Sequence, residues 1–143
     1  MSEAFRHQIE VGAPPEKVFS YLTRADLMLA WMGDHAVLEP RQGGQFSVDI
    51  NGVPVRGRFL VVDPPRRVVL SWGHAGSAAL PPGSTTVEIT LTPTTTGTLL
   101  SVEHRDLPPE QARQHAIGWP HFLGRLAVAA SGGNPGPDPF ADP

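Results

Sequence analysis

Histidine and tryptophan are the residues of this chain that could move a proton or grip a ring. The six histidines and three tryptophans fall mostly in a few short stretches. "AWMGDH" carries Trp31 beside Met32, "SWGH" carries Trp72 and His74, "VEHRDLPP" carries His104, and "HAIGWPHFLGRL" carries His115, Trp119, His121 and Phe122. Imidazole changes charge near neutral pH, so His104 and His74 are the residues expected to act as acid and base if the chain is an enzyme. Indole faces stack on aromatic ligands, which would give Trp31, Trp72 and Trp119 the task of positioning one.

Other chemistries find less support. With no cysteine there is no thiol nucleophile, disulfide or thiolate metal site. No "GxSxG" or "HExxH" occurs, and His115 and His121 are six positions apart rather than the three or four that place two ligands on one helical face. No native metal site and no cofactor are expected. "QGGQ" at Gln42 to Gln45 leads into a strand pattern and lacks the spacing and following helix of a phosphate loop. Asp34, Glu39 and Asp106 could pair with a buried histidine, but no fixed pairing is visible and they are read as solvated.

Three kinds of element must position the rings. "FRHQIEV" alternates Phe5, His7, Ile9 and Val11 against Arg6, Gln8 and Glu10, the period of a half-buried strand. "APPEKVFSYLT" opens on proline and spaces Val18, Phe19 and Leu22 as a helix does, and "ADLMLAWM" is a second short helix. Between Val37 and Asp106 the turn clusters "PRQGG", "NG", "DPPRR", "PPGS" and "TTTG" separate segments rich in Val, Leu, Thr and Phe, an antiparallel meander. Alternation aims Phe46, Val48, Ile50, Val55, Phe59 and Val61 at one face, with Val68, Leu70, Trp72, His74, Val87, Ile89, Leu91, Leu100, Val102 and His104. Arg56, Arg58, Glu88, Glu103 and Arg105 fall on the other face.

Residues 110–130 read as one long helix with the stripe Ala112, Ala116, Trp119, Leu123, Leu126, Ala127 and Ala130, and Phe122 at its edge. Pro120 removes a backbone donor, so a kink or break near Gly118 is expected. The apolar stripe and the apolar sheet face must cover each other. Trp119, His115 and Phe122 from the helix then meet Phe46, Trp72, His74 and His104 from the sheet, with Trp31 and Met32 at the entrance. A dry core has little use for several imidazoles, because a buried polar group without a partner costs roughly 1–3 kcal/mol. Their company with rings argues for a wet or ligand-filled space.

A chain of 143 residues is the size of one domain, here 1–131, followed by a disordered Gly/Pro-rich tail at 132–143 containing Phe140. A net charge of -3 gives no reason to expect nucleic acid or acidic lipid as a partner. No apolar run is long enough to span a bilayer and the first residues lack a secretion signal's apolar core, so a cytoplasmic location is expected.

The order strand, two short helices, meander and closing helix resembles the START-like superfamily, also called SRPBCC. Within it the chain looks like the bacterial branch similar to the C-terminal domain of activators of the heat-shock protein 90 ATPase. The resemblance rests on "APPEKVFSYLT" with Trp31, "GGQFSVDINGVPVRGRFLVVDPPRRVVLSW", "STTVEITLTPTTTGTLLSVEHRDLP" and "HAIGWPHFLGRL". It implies an α+β helix-grip fold, a curved antiparallel sheet wrapped around a long C-terminal helix with a cavity between them. The implied activity is binding of a hydrophobic, aromatic small molecule. The alternatives are a cyclase- or hydratase-like enzyme using cavity histidines, and a protein that acts on a chaperone or another regulatory partner. Fold alone does not choose among them.

Overall fold

The computed structural model describes residues 3–136; Phe140 and the rest of the expected tail after residue 136 lie outside the described residues. Strand β1 (Glu3–Val11) leads into α1 (Pro15–Thr23), where proline occupies the first turn and Val18, Phe19 and Leu22 are buried. A single turn, α2 (Ala25–Met28), delivers Trp31 and Met32. The meander follows as β2 (His35–Leu38), β3 (Gln45–Ile50), β4 (Val53–Asp63), β5 (Arg67–Trp72), β6 (Thr85–Pro93) and β7 (Thr98–Leu107), and α3 (Pro109–Ala130) closes the order.

All seven strands form one antiparallel sheet in the order β1-β7-β6-β5-β4-β3-β2. Asn51 and Gly52 join β3 to β4 with φ of 51° and 84°, a two-residue turn whose handedness matches the twist of antiparallel strands. The core between sheet and helix contains Phe46, Val48, Phe59, Leu70, Ile89, Leu91, Val102, Leu123 and Leu126, all buried. This is the helix-grip arrangement the sequence predicts.

The differences have local causes. Val61, expected in the core, is only half-buried because the β4–β5 register shifts between Phe59 and Val61; beyond the shift it is Val62 that packs inward, opposite fully buried Val68. A second irregularity lies in β7, where Glu3 pairs with Leu107 but Phe5 with His104. The extra residue is accommodated with Asp106 at φ 67°, and the bulge lets both His104 and Leu107 face inward, each fully buried. On α3 the break expected near Gly118 is absent: the helix is continuous from Pro109 to Ala130 with Pro120 inside it. Its first half is phased differently from the predicted stripe, since Ala116 is exposed while His115 is half-buried.

From within α3, Arg125 donates to the carbonyls of Trp31 at 3.2 Å and Gly136 at 3.0 Å, tying the start of the expected tail to the segment that follows α2. On the outer face of the sheet, Glu88 and Glu103 are directly opposite across β6 and β7. Two like charges in that position repel. Arg105 bonds both, at 2.8 and 2.6 Å, while Arg67 and Arg6 bond one each at 2.8 and 2.6 Å. The Arg105 hydrogen bonds are the main reason both carboxyls titrate below their usual range.

Leu123, fully buried at the middle of α3, should lose about 2–5 kcal/mol of stability on truncation to Ala, read by urea unfolding. For Arg105→Met the expected loss is smaller, up to about 1 kcal/mol, because the group is partly exposed and screened. That loss is present at neutral pH and fades as pH falls through the lowered carboxylate values, so unfolding curves at two pH values test it.

Candidate functional site

The rings converge where the first half of α3 crosses the β3–β4 hairpin and the end of β5. Trp72 is the last residue of β5, and its chain continues alongside β4: Gly73 accepts from Arg56 N–H at 2.8 Å, and Ala75 donates to Pro54 at 2.9 Å. His74 donates its backbone N–H to Leu80 at 2.7 Å, so the following loop folds back over this segment. Gly73 is required there, because a Cβ would stand 1.9 Å from the Pro81 carbonyl oxygen. Trp72 and His74 are thereby held on the inner side, facing α3.

Trp119 and His115, four residues apart on α3, meet them from above. Trp72 and Trp119 lie 5.4 Å apart, His115 and His104 4.9 Å apart at 87°, and His74 and His115 6.0 Å apart and nearly parallel. The fully buried member of this group is His104. Trp119 Nε1–H donates to His104 Nδ1 at 3.1 Å, which makes that nitrogen the acceptor and leaves the proton on Nε2. Nε2–H then donates to Thr85 Oγ1 at 2.8 Å, and the threonine hydroxyl donates to the Trp72 carbonyl at 2.7 Å. Every hydrogen-bonding position of the imidazole is used.

Burial first, and the neighbouring His115 and His74 second, push the His104 pKa down to about 2. Burial lowers His115 as well, against the opposing pull of its bond to the Gln111 carbonyl, and lowers His74 with help from His115. All three imidazoles are therefore neutral at pH 7. The carboxylates weighed as partners, Asp34, Glu39 and Asp106, are exposed. Among the described residues no group of three or more His, Cys, Asp or Glu is placed to hold a metal ion, and no helix is long and apolar enough to cross a membrane.

Beside the ring cluster a cleft of about 220 Å³ opens between α3 and the hairpin. Six of the nine sequence-predicted site residues line it: Met32, Trp72, His74, His115, Trp119 and Phe122. The other three do not. Phe46 is packed in the core against Phe59 and Trp72. Trp31, expected at the entrance, is buried with its indole N–H donated to the Tyr21 carbonyl at 3.0 Å. His104 sits behind the wall, its ring nitrogens bonded to Trp119 and Thr85.

The cleft also uses residues the sequence reading left out as site residues. Ile50, Asn51, Val53 and Val55 supply the hairpin wall; strand alternation turns Ile50 and Val55 inward, whereas the residue types of "NG" mark only a turn. Gln114 and Gly118 complete the helix wall, and the four-residue spacing of 114, 118 and 122 beside 115 and 119 is the signal that finds them. At Gly118 a Cβ would meet nothing within 4 Å, so the missing side chain leaves the wall open.

The family model described as "Activator of Hsp90 ATPase homolog 1-like protein" matches residues 12–131. The chain belongs to this family. Solved structures share the fold of this AHSA1-like chain. An AHSA1-like protein of Rhizobium etli is 40% identical, with a TM-score of 0.77 over 100% of this chain and 91% of its own. A Mesorhizobium loti protein is 28% identical at a TM-score of 0.77, covering 87% and 94% of the two chains. DynU16, from the dynemicin biosynthetic locus, is 27% identical at a TM-score of 0.80, over 92% of this chain and 48% of that one. No curated protein matches the chain.

His104→Leu tests the relay. It leaves the Trp119 and Thr85 groups without their partner and should cost roughly 1–3 kcal/mol at pH 7. Below about 6.5 an unfolded histidine takes up a proton that the folded His104 refuses down to about 2, so the native protein loses stability as pH falls through that window. In the variant, urea unfolding across a pH series should show a shallower decline toward acid.

Proposed function

We propose that this AHSA1-like protein binds a hydrophobic, aromatic small molecule in the cleft between α3 and the β3–β4 hairpin. The observation that carries the reading is the wall itself. Trp72, Trp119, Phe122 and Met32 border the open space together with Ile50, Val53 and Val55, and pockets of this composition bind flat apolar ligands through area and ring stacking. The deeper void among Trp31, Phe46 and Leu22 measures only about 10 Å³, at the lower limit for one water molecule. The core below is therefore closed, and the cleft is where a ligand would go. DynU16's origin in a biosynthetic locus agrees with a small-molecule role.

One observation supports an enzymatic variant of this reading. His74 and His115 are neutral imidazoles in the cleft wall, the form in which a histidine accepts a proton. In that variant these two, and not His104, do the acid–base work. Mass spectrometry of an offered ligand separates binder from enzyme: a binder returns it unchanged.

The binding test uses two substitutions on α3 that act in opposite directions on stability. Trp119→Ala removes a wall of the cleft and should weaken an aromatic probe at least tenfold, about 1.4 kcal/mol. Gly118→Leu fills the space that the glycine leaves and should abolish probe binding while raising helix stability by roughly 0.5–1 kcal/mol. Calorimetric titration with circular dichroism as a folding control reads both. Undiminished binding in Gly118→Leu would place the ligand elsewhere.

A further inference from the structure

The wall of the cleft holds two groups that can change charge and none that is permanently charged. His74 and His115 are the titratable side chains of its lining, and no carboxylate, ammonium or guanidinium belongs to it. On the reading that the cleft takes an aromatic ligand at all, the charge of that ligand is set by this pair.

The two imidazoles come from different elements. His74 follows β5 and His115 stands on α3, with ring centroids 6.0 Å apart and planes 19° from parallel. Both are half-buried, and fully buried His104 lies 4.9 Å from His115. No carboxylate offsets the group. On α3, Glu110 and Arg113 are exposed, and Arg125 is bonded to the Trp31 and Gly136 carbonyls. On the hairpin Asp49 and Arg56 pair with each other at 2.9 Å, and on β7 Asp106 is exposed. Burial lowers both imidazoles below their ordinary range, and the neighbouring His115 lowers His74 further. Both are neutral at pH 7 and take up protons in acid, one after the other, because a charge on either ring opposes a charge on its neighbour.

The state of the pair reverses what the wall favours. With both rings neutral, an anion entering the cleft sheds its hydration and finds no counter-charge, whereas a neutral ring has nothing to lose. Once an imidazolium stands in the wall, a neutral ring that covers it strips the hydration of a cation, and an anion supplies the missing counter-charge. Coulombic attraction acts through space, so the reversal needs no hydrogen bond from either ring to the ligand. Size limits the ligand independently: a dry apolar cavity of ~150 Å³ takes a benzene ring, so a cleft of about 220 Å³ takes one substituted ring or a fused pair.

We infer that the cleft changes its preference from neutral to anionic aromatic ligands as the facing pair His74 and His115 takes up protons. The full chain is titrated calorimetrically at pH 7.5 and pH 5.0 with 2-naphthol, neutral at both because a phenol ionises near ~10, and with 2-naphthoate, ionised at both because an aryl carboxylate ionises near ~4. Circular dichroism checks the fold at each pH. Naphthol should bind more tightly at pH 7.5. At pH 5.0 naphthol should weaken and naphthoate strengthen, moving the ratio of their affinities at least tenfold; loss of the fold would weaken both. At pH 6.5, titrations in two buffers of different ionisation enthalpy should show naphthol releasing protons on binding and naphthoate taking them up. In the double variant His74→Phe, His115→Phe the affinity ratio should not change with pH. A wild-type ratio independent of pH, proton counts of the same sign for the two compounds, or a ratio that moves as far in the variant overturns the inference while the aromatic-binding reading stands. No binding of either compound at either pH overturns both. The wild-type proton counts decide the matter even if the variant fails to fold.

Discussion

Everything at the functional end of this molecule depends on one buried imidazole. His104 takes a proton donor from α3 through Trp119, gives its own proton to Thr85 on β6, and through that hydroxyl is linked to the backbone of β5 at Trp72. A helix lying on an apolar sheet face is free to slide or rotate as far as side-chain packing allows, since dispersion contacts are not directional. Hydrogen bonds are directional. The relay fixes the rotation of α3 about its axis at Trp119, and with it the placement of His115 one turn before and Phe122 one turn after. The two indoles that wall the cleft are held at the two ends of this relay.

The bulge in β7 makes this possible. With regular alternation, residues 104 and 106 would share the inner face, placing the Asp106 carboxylate in the core. Instead the extra residue turns Asp106 out to solvent and leaves His104 and Leu107 both fully buried. The same burial drives the His104 pKa down, and the resulting neutrality lets Nδ1 remain an acceptor for the indole. Burial, tautomer and helix orientation are thus one constraint seen from three sides.

Much of the fold is legible in the sequence because the sheet has one dry face and one wet one. Period-two alternation therefore shows in "FSVDI", "VEITL" and "LLSVEH", and the turn residues between them are chemically explicit, as at Asn51–Gly52. Legibility fails where that contrast is missing. Leu60, Val61 and Val62 are all apolar, so nothing in the residue types marks the shift that moves Val62 inward. On α3, Ala112 and Ala116 suggested a stripe by size and polarity, but a half-buried His115 won the inner position through its bond to Gln111 and its contacts with other rings. Several inward histidines signal a wet space by residue type; for His104 the partners are an indole and a hydroxyl 15 and 19 residues away, pairings that no local spacing reveals. The cleft wall was partly legible for the reason that makes helices readable at all, since residues four apart share a face.

The residues that shape the cleft's open side are largely separate from those that hold the fold together. Asn51, Val53 and Gln114 are exposed and Gly118 touches nothing a new side chain would displace, whereas the relay lies behind the wall. Substitutions at Val53, Gln114 and Gly118 can change the cleft's contour and polarity at little cost in folding free energy, whereas Asn51 holds the positive φ its turn requires. A lineage carrying this scaffold could therefore drift from one ligand to another through single, individually viable steps, and chains sharing the fold need not share a ligand.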